Sequence, residues 1–351
     1  MPEFKMPTAL DQVTAEWLTE ALSRRYPGTV VTSAVPGLTI RATGTKQRLM
    51  LDYNDAGHEH RLPPTMWFKS GLEEHSDHVR TSHARESLFY AEIEPLGLLN
   101  APHGYFAGTD ADGNSAQLIE DLLGRNARFG AATRAVPLAV AKATLGMLAR
   151  LHAHWWGAPE LARLGPPGGS LATDGIVIRI MTDAAWDDAL RREGAVLPPE
   201  FQTGAQARAG MEKLWAYDRT SDALCMVHGD AHPGNMFFEQ DGAPGFLDYQ
   251  RVMQCDWAHD VNYFLIASCD SDDMAAHERD LLEGYLQERE ALGVPLMDRD
   301  EAWLSYRRHT MYGLVWNVVP PAMQTEETCL TISRRFNAAA ARHDVARALD
   351  L

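Results

Sequence analysis

Trp17, Leu18 and Leu22 recur at helical spacing behind Thr14, and Pro27-Gly28 follows, so the pattern predicts an opening helix over 14–25. Between 38 and 122 the period shortens. Lys46 to Tyr53 alternates loosely, with Leu49 and Leu51 on one side, and Met66-Trp67-Phe68-Lys69 is a short apolar run. Both read as strands. Asn54-Asp55-Ala56-Gly57 and Asp110-Ala111-Asp112-Gly113-Asn114 carry turn chemistry. Further short strands are expected around 104–106 and 116–122. One helical pattern interrupts them over 81–95, with Leu88, Phe89, Ile93 and Leu96 on one face.

After Leu122 the pattern turns helical. Leu138, Ala141, Leu145, Leu148 and Leu151 form the buried stripe of a helix over 135–156. Other helices are expected near 181–192, 203–218, 272–292, 300–317 and 328–348. The clear strands in this part are 235–238 and 246–249, read as a hairpin closed around Asp241-Gly242. The expected organisation is therefore α+β: a strand-rich segment 1–122, then a larger, mainly helical segment 123–351, without a flexible linker or internal repeat.

Composition changes this picture little. With 45% hydrophobic and 23% charged residues the chain reads as folded and not disordered. The net charge is −16, of which residues 1–122 carry −7 (ten basic, seventeen acidic) and the rest −9. Acidity in both parts disfavours nucleic acid and anionic membrane as partners. No apolar run approaches ~18 residues, so no membrane span is expected. The first twenty residues lack the apolar core of a signal peptide. Cys225, Cys255, Cys269 and Cys329 form no Cys-x-x-Cys pair and read as free thiols in a reducing, cytoplasmic setting.

One stretch carries chemistry: His228-Gly229-Asp230-Ala231-His232-Pro233-Gly234-Asn235, with Asp248-Tyr249-Gln250 thirteen residues on. Phosphoryl transfer needs a carboxylate to receive the attacking hydroxyl's proton, oxygen ligands for magnesium and a cation for the phosphates. Asp230 is the candidate base. Asn235 and Asp248 offer hard oxygen ligands to Mg²⁺, and the hairpin between them returns the chain. Taken singly, each is a turn, cap or solvated residue; the joint spacing raises them above that. Lys69 closes an apolar strand upstream, and Glu86 follows on the next helical segment as its partner. Gly44, in Ala42-Thr43-Gly44-Thr45-Lys46, is the one glycine between strands able to approach phosphates; it would otherwise be a turn residue.

With these residues in place, the chain resembles the aminoglycoside phosphotransferase and choline kinase superfamily, most of all its ecdysteroid-kinase-like, or choline-kinase-like, branch. The resemblance runs from Trp17-Leu18 through Arg85-Glu86-x-x-Phe89-Tyr90, Leu118-Ile119-Glu120-Asp121-Leu122 and Leu151-His152-Ala153-x-Trp155. It continues through the catalytic stretch to Asp260-Val261-Asn262-Tyr263-Phe264-Leu265. It implies a bilobal protein-kinase-like fold with a small β-rich N-lobe, a larger helical C-lobe, and ATP and Mg²⁺ as cofactors. It further implies Asp230 as base, Asn235 and Asp248 on the metal, and Lys69 paired with Glu86 and the phosphates. Gly44 and Thr45 would lie near the nucleotide, and the backbone of Glu120, Asp121 and Leu122 would meet adenine. Asp260 and His228 would support the loop. The sequence departs from the kinase pattern in three ways: Asp-Tyr-Gln replaces Asp-Phe-Gly, the phosphate loop has a single glycine, and no Arg precedes Asp230.

Only eleven residues separate Asp248 from Asp260, and no Ala-Pro-Glu follows; Ala158-Pro159-Glu160 lies upstream of the loop. Without a peptide-holding segment the expected acceptor is a hydroxyl of a small molecule. Trp303, Tyr306, Tyr312 and Trp316 lie on the later helices, as ring-stacking surfaces or as core. Two other readings stay open: a catalytically silent ATP- or ligand-binding module, and a metallohydrolase with His228, Asp230 and His232 as ligands.

Overall fold

Strand alternation organises the first part of the chain. In the computed structural model, which describes residues 4–74, 76–168, 176–192, 196–321 and 323–351, five strands form one antiparallel sheet. They are β1 (Val31–Arg41), β2 (Thr45–Tyr53), β3 (Thr65–Ser70), β4 (Gly104–Thr109) and β5 (Ser115–Glu120), in the order β1-β2-β3-β5-β4. Helix α1 (Ala15–Ser23) starts at Thr14, whose side chain accepts from the Trp17 amide. Its Leu18, Ala21 and Leu22 pack with Leu49, Leu51, Met66, Phe68 and Leu118 in one apolar cluster. Successive side chains in a strand point to opposite faces. Met66 and Phe68 therefore enter this cluster, and Lys69 is delivered to the other face.

Two expectations in this part are corrected. Asn54 is a helix cap: its side chain accepts from Gly57 N and opens a short helix, α2 (Asp55–Glu59). The 81–95 pattern is α3 (Arg80–Leu88), continued by a wider turn over Phe89–Ile93 and a tighter one over Glu94–Leu96. Pro95 and the left-handed Gly97 end it. Leu96 is exposed, Leu88 is half-buried, and Ser82, His83, Glu86 and Ser87 are buried. That face can be polar because the sheet supplies partners: Gln117 donates to the Ser87 hydroxyl (2.6 Å), and Lys69 donates to Glu86.

The second part is helical: α4 (Leu138–His154), α5 (Ile176–Ile180), α6 (Asp183–Leu190) and α7 (Gly204–Thr220), then α8 (Ala258–Ser268), α9 (Ser271–Ala291), α10 (Arg299–Gly313), α11 (Glu326–Arg342) and α12 (Val345–Ala348). The hairpin strands are shorter than expected, β8 (Met236–Phe238) and β9 (Pro244–Phe246), and Tyr249 opens a 3₁₀ turn instead of ending a strand. Strands β6 (Arg128–Phe129), β7 (Leu224–Val227) and β10 (Met253–Asp256) were not expected; β6 pairs with β8, and β7 with β10. They are two to four residues long and have no alternation to read. Helix α8 was missed for a related reason: every one of its residues is buried, so it has no polar face.

The chain forms two compact units, Met1–Ala127 with Asp248–Gln250, and Arg128–Leu247 with Arg251–Leu351. The fold class is α+β, with a β-rich first unit and a mainly helical second one. All four cysteines are free and buried. Among the described residues no helix is long and apolar enough to cross a membrane.

Candidate active site

The first unit carries a buried ion cluster. Lys69 Nζ lies 2.7 Å from Glu86 Oε1 and 3.2 Å from Asp248 Oδ1, and both Lys69 and Glu86 are 1% exposed. A buried ammonium is tolerated only when paired. Burial alone would pull Lys69 down; the charges of Asp248 and Glu86 outweigh it and hold its pKa above the ordinary value. Glu86 is raised, by burial first, against the pull of Lys69. Asp248 has a left-handed backbone, φ +60°. The next residue, Tyr249, stacks on Phe89 with centroids 3.4 Å apart, just beyond Glu86 in sequence. Lys46 is the directly paired neighbour of Lys69 across β2 and β3, and its Nζ is 3.7 Å from Asp248 Oδ2. Sequence reasoning passed over Lys46; only the strand register reveals it. The like charge of Lys69 lowers its pKa.

The remaining first-unit candidates are more committed. A Cβ on Gly44 would meet His83 Cε1 at 2.7 Å, so a packed imidazole is one reason for glycine there. Thr45 is fully buried and its hydroxyl donates to Glu73. Glu120 donates its amide to the His103 carbonyl (2.8 Å), accepts from the His103 amide and pairs with Arg125 (3.0 Å). Asp121 accepts from Arg48 Nε at 2.6 Å and from the Leu123 amide. Burial works against its ionisation, but these bonds outweigh it and its pKa is lowered. Leu122 is buried, and its carbonyl accepts from the Ala127 amide.

The second unit carries the stretch His228 to Asn235. Helix α8 braces it: Asp260, with no exposed surface, accepts from the amides of His228 (2.6 Å) and Gly229 (2.9 Å) and lies 3.3 Å from His152 Nε2. Burial raises the Asp260 pKa, but His152 and the other imidazoles more than reverse this and keep it ionised. Gly229 has φ +80°, and a Cβ there would collide with the Arg251 carbonyl, so only glycine fits. Asp260→Ala strands two amides and should lower stability by roughly 2–6 kcal/mol, read as a shift in the urea unfolding midpoint.

Asp230 is half-buried, and both of its carboxylate oxygens accept hydrogen bonds. Asn235 Nδ2 donates to Oδ2 and to the Asp230 carbonyl, each at 3.0 Å, and the Tyr263 hydroxyl donates to Oδ1 at 3.1 Å. With its amide nitrogen so placed, the side-chain oxygen of Asn235 is the atom that could hold a cation. The Asn235 main-chain carbonyl accepts from the amide of Leu247 at 2.7 Å, so the hairpin returns the residue before Asp248 to Asn235. Tyr312 and Trp316 are buried, and Trp316 Nε1 donates to the Tyr263 hydroxyl.

The histidines are not arranged as a metal set with Asp230. His228 Nδ1 accepts from the Asp230 amide, so Nε2 holds the proton and donates to the Leu247 carbonyl at 2.9 Å. His232 Nδ1 accepts from the Gly234 amide, and its Nε2 lies 3.8 Å from Asp230 Oδ2, so His232 pairs with Asp230 while His228 is turned to the backbone. Among the described residues, Asp218, Cys255 and His309 bring three ligand atoms within 4.8 Å. His309 Nδ1 donates to the Ser305 carbonyl, and Nε2 faces Asp218 Oδ1 at 3.1 Å, both side chains being buried. Burial would lower the His309 pKa, but Asp218 outweighs it and the imidazole is raised.

The model of the phosphotransferase enzyme family matches residues 45–301. No match is found among curated proteins. Similar solved structures include a microcompartment-associated aminopropanol kinase, 15% identical, covering 94% of this chain and 98% of that one at TM-score 0.49. Others are a spectinomycin phosphotransferase in complex with ADP and spectinomycin (14%, 96% and 99%, TM-score 0.49) and a choline kinase from Streptococcus pneumoniae (10%, 93% and 98%, TM-score 0.47).

Proposed function

The chain belongs to the phosphotransferase enzyme family, and from that premise we propose that it moves the γ-phosphate of ATP to a hydroxyl of a small molecule. The observation that carries this reading is the buried Lys69 ammonium held between Glu86 and Asp248. Two carboxylates on one lysine keep it charged and fixed, ready for nucleotide phosphates. Asp230 is the base: it orients the acceptor hydroxyl and takes its proton. Asn235 and Asp248 would hold Mg²⁺, and their oxygen donors suit a hard cation. The metal would supply charge neutralisation at the phosphates. Lys46 is a second cation for the same phosphates. The backbone of Glu120, Asp121 and Leu122 would receive adenine, with the Asp121 side chain locked by Arg48. On this reading residues 1–122, including Gly44 and Thr45, serve the nucleotide, and 123–351 serve catalysis and the acceptor. A cytoplasmic location fits ATP use and four free thiols.

The test is an ATP-consumption screen over amino alcohols, aminoglycosides, sugars and steroid alcohols. ADP release that depends on both Mg²⁺ and one acceptor class is the expected result. Nucleotide binding without transfer to any acceptor would favour the silent module. Tightly held stoichiometric zinc would favour the hydrolase.

A further inference from the structure

Asp230 receives a hydrogen bond from a tyrosine whose own orientation is fixed from behind. Trp316 Nε1 lies 2.8 Å from the Tyr263 hydroxyl oxygen. An indole N–H can only donate, so the phenol oxygen accepts there. The one phenol hydrogen then points to Asp230 Oδ1, 3.1 Å away. Both side chains are almost fully buried, Tyr263 at 2% and Trp316 at 4% exposure. The Tyr263 ring is held by Tyr312 and Phe336, at centroid distances of 5.2 and 5.6 Å, and Trp316 by His232 at 5.5 Å. Burial, then the nearby Asp230 charge, pushes the phenol well above its ordinary pKa, so it stays a donor.

Tyr263 lies one helical turn after Asp260 on α8. The helix that clamps the loop backbone through Asp260 thus also reaches the base side chain through Tyr263. We propose that Tyr263, oriented by Trp316, is a positioning residue that sets the rotamer of the Asp230 carboxylate. Asn235 holds the other oxygen at 3.0 Å, and His232 Nε2 faces the same oxygen at 3.8 Å. Each oxygen then has one lone pair engaged, and the carboxylate faces the acceptor hydroxyl in a single orientation. The inference rests on the reading of Asp230 as base.

The test measures ADP release from Mg-ATP, with water and with the best alcohol of the screen as acceptor. The variants are Tyr263→Phe, Trp316→Phe, their double and Asp230→Asn. A lost bond to a charged group predicts a fall in kcat of about 10- to 100-fold in Tyr263→Phe. The KM for ATP should stay within about two-fold, a split that general loosening of the fold would not produce. Trp316→Phe should lose less, and the double should be no worse than Tyr263→Phe, because the indole acts only through the phenol. Wild-type kcat in Tyr263→Phe alongside a crippled Asp230→Asn overturns the proposal and leaves the base in place. So does a double whose losses multiply. Wild-type turnover in Asp230→Asn overturns the base reading itself. If thermal melts show Tyr263→Phe to be unfolded, Trp316→Phe decides: a reduced kcat at unchanged KM supports the relay, and a wild-type kcat overturns it.

Discussion

Replacing Asp230 by Asn should cut turnover by ~10²–10⁴-fold, the usual contribution of a positioned base. The amide has nearly the shape of the carboxylate but cannot take a proton at neutral pH. It also meets donors on two sides, Asn235 Nδ2 and the Tyr263 hydroxyl. One of them must then face an N–H₂, which disturbs the loop locally without emptying it. Nucleotide binding should survive, because Lys69, Glu86 and Asp248 belong to the first compact unit and keep their pairing. The measurement pairs steady-state turnover with calorimetric ADP binding. Turnover at the wild-type level would remove Asp230 as the base, and a parallel loss of ADP affinity would make its role structural.

What could be read from the chain followed the range of the chemistry. The stretch His228 to Asn235 is contiguous, so its donors and acceptors lie within a few residues and spacing alone orders them. Lys69 and Glu86 are seventeen apart and were found by order: apolar strand, then helix. In the structure the two groups lie 2.7 Å apart. Lys46 escaped because it faces Lys69 only through the register of β2 on β3. The Tyr263–Trp316 bond joins residues 53 apart, and no local pattern announces it. Helix α8 carries both Asp260 and Tyr263 yet has no amphipathic stripe, because it is buried all round. Periodicity reports the boundary between core and water, so elements wholly inside the core are silent in it. Gly44 shows the converse limit: the glycine that the sequence offers for phosphate approach makes room for the His83 ring.

Asp248→Asn tests the metal and the cation cluster together. In the structure the two carboxylate oxygens face two ammonium groups, Lys69 at 3.2 Å and Lys46 at 3.7 Å. Asn tolerates the left-handed backbone that Asp248 adopts at φ +60°, so the turn should persist. Lys69 retains Glu86, and the buried cation stays paired. Losing the charged oxygen should lower turnover by roughly 10³-fold, since metal stabilisation of phosphoryl charge is worth several kcal/mol. The effect on binding should split by metal. With Mg²⁺ present, the tightening of ADP should vanish. Without Mg²⁺, ADP should bind the variant at least as well as the wild type, because two ammonium groups lose a competing carboxylate and turn to the phosphates. Calorimetric titrations of ADP with and without Mg²⁺ read both arms. An equal Mg²⁺ enhancement in variant and wild type would take Asp248 off the metal, and weaker metal-free binding would show that it serves to hold the lysines in place.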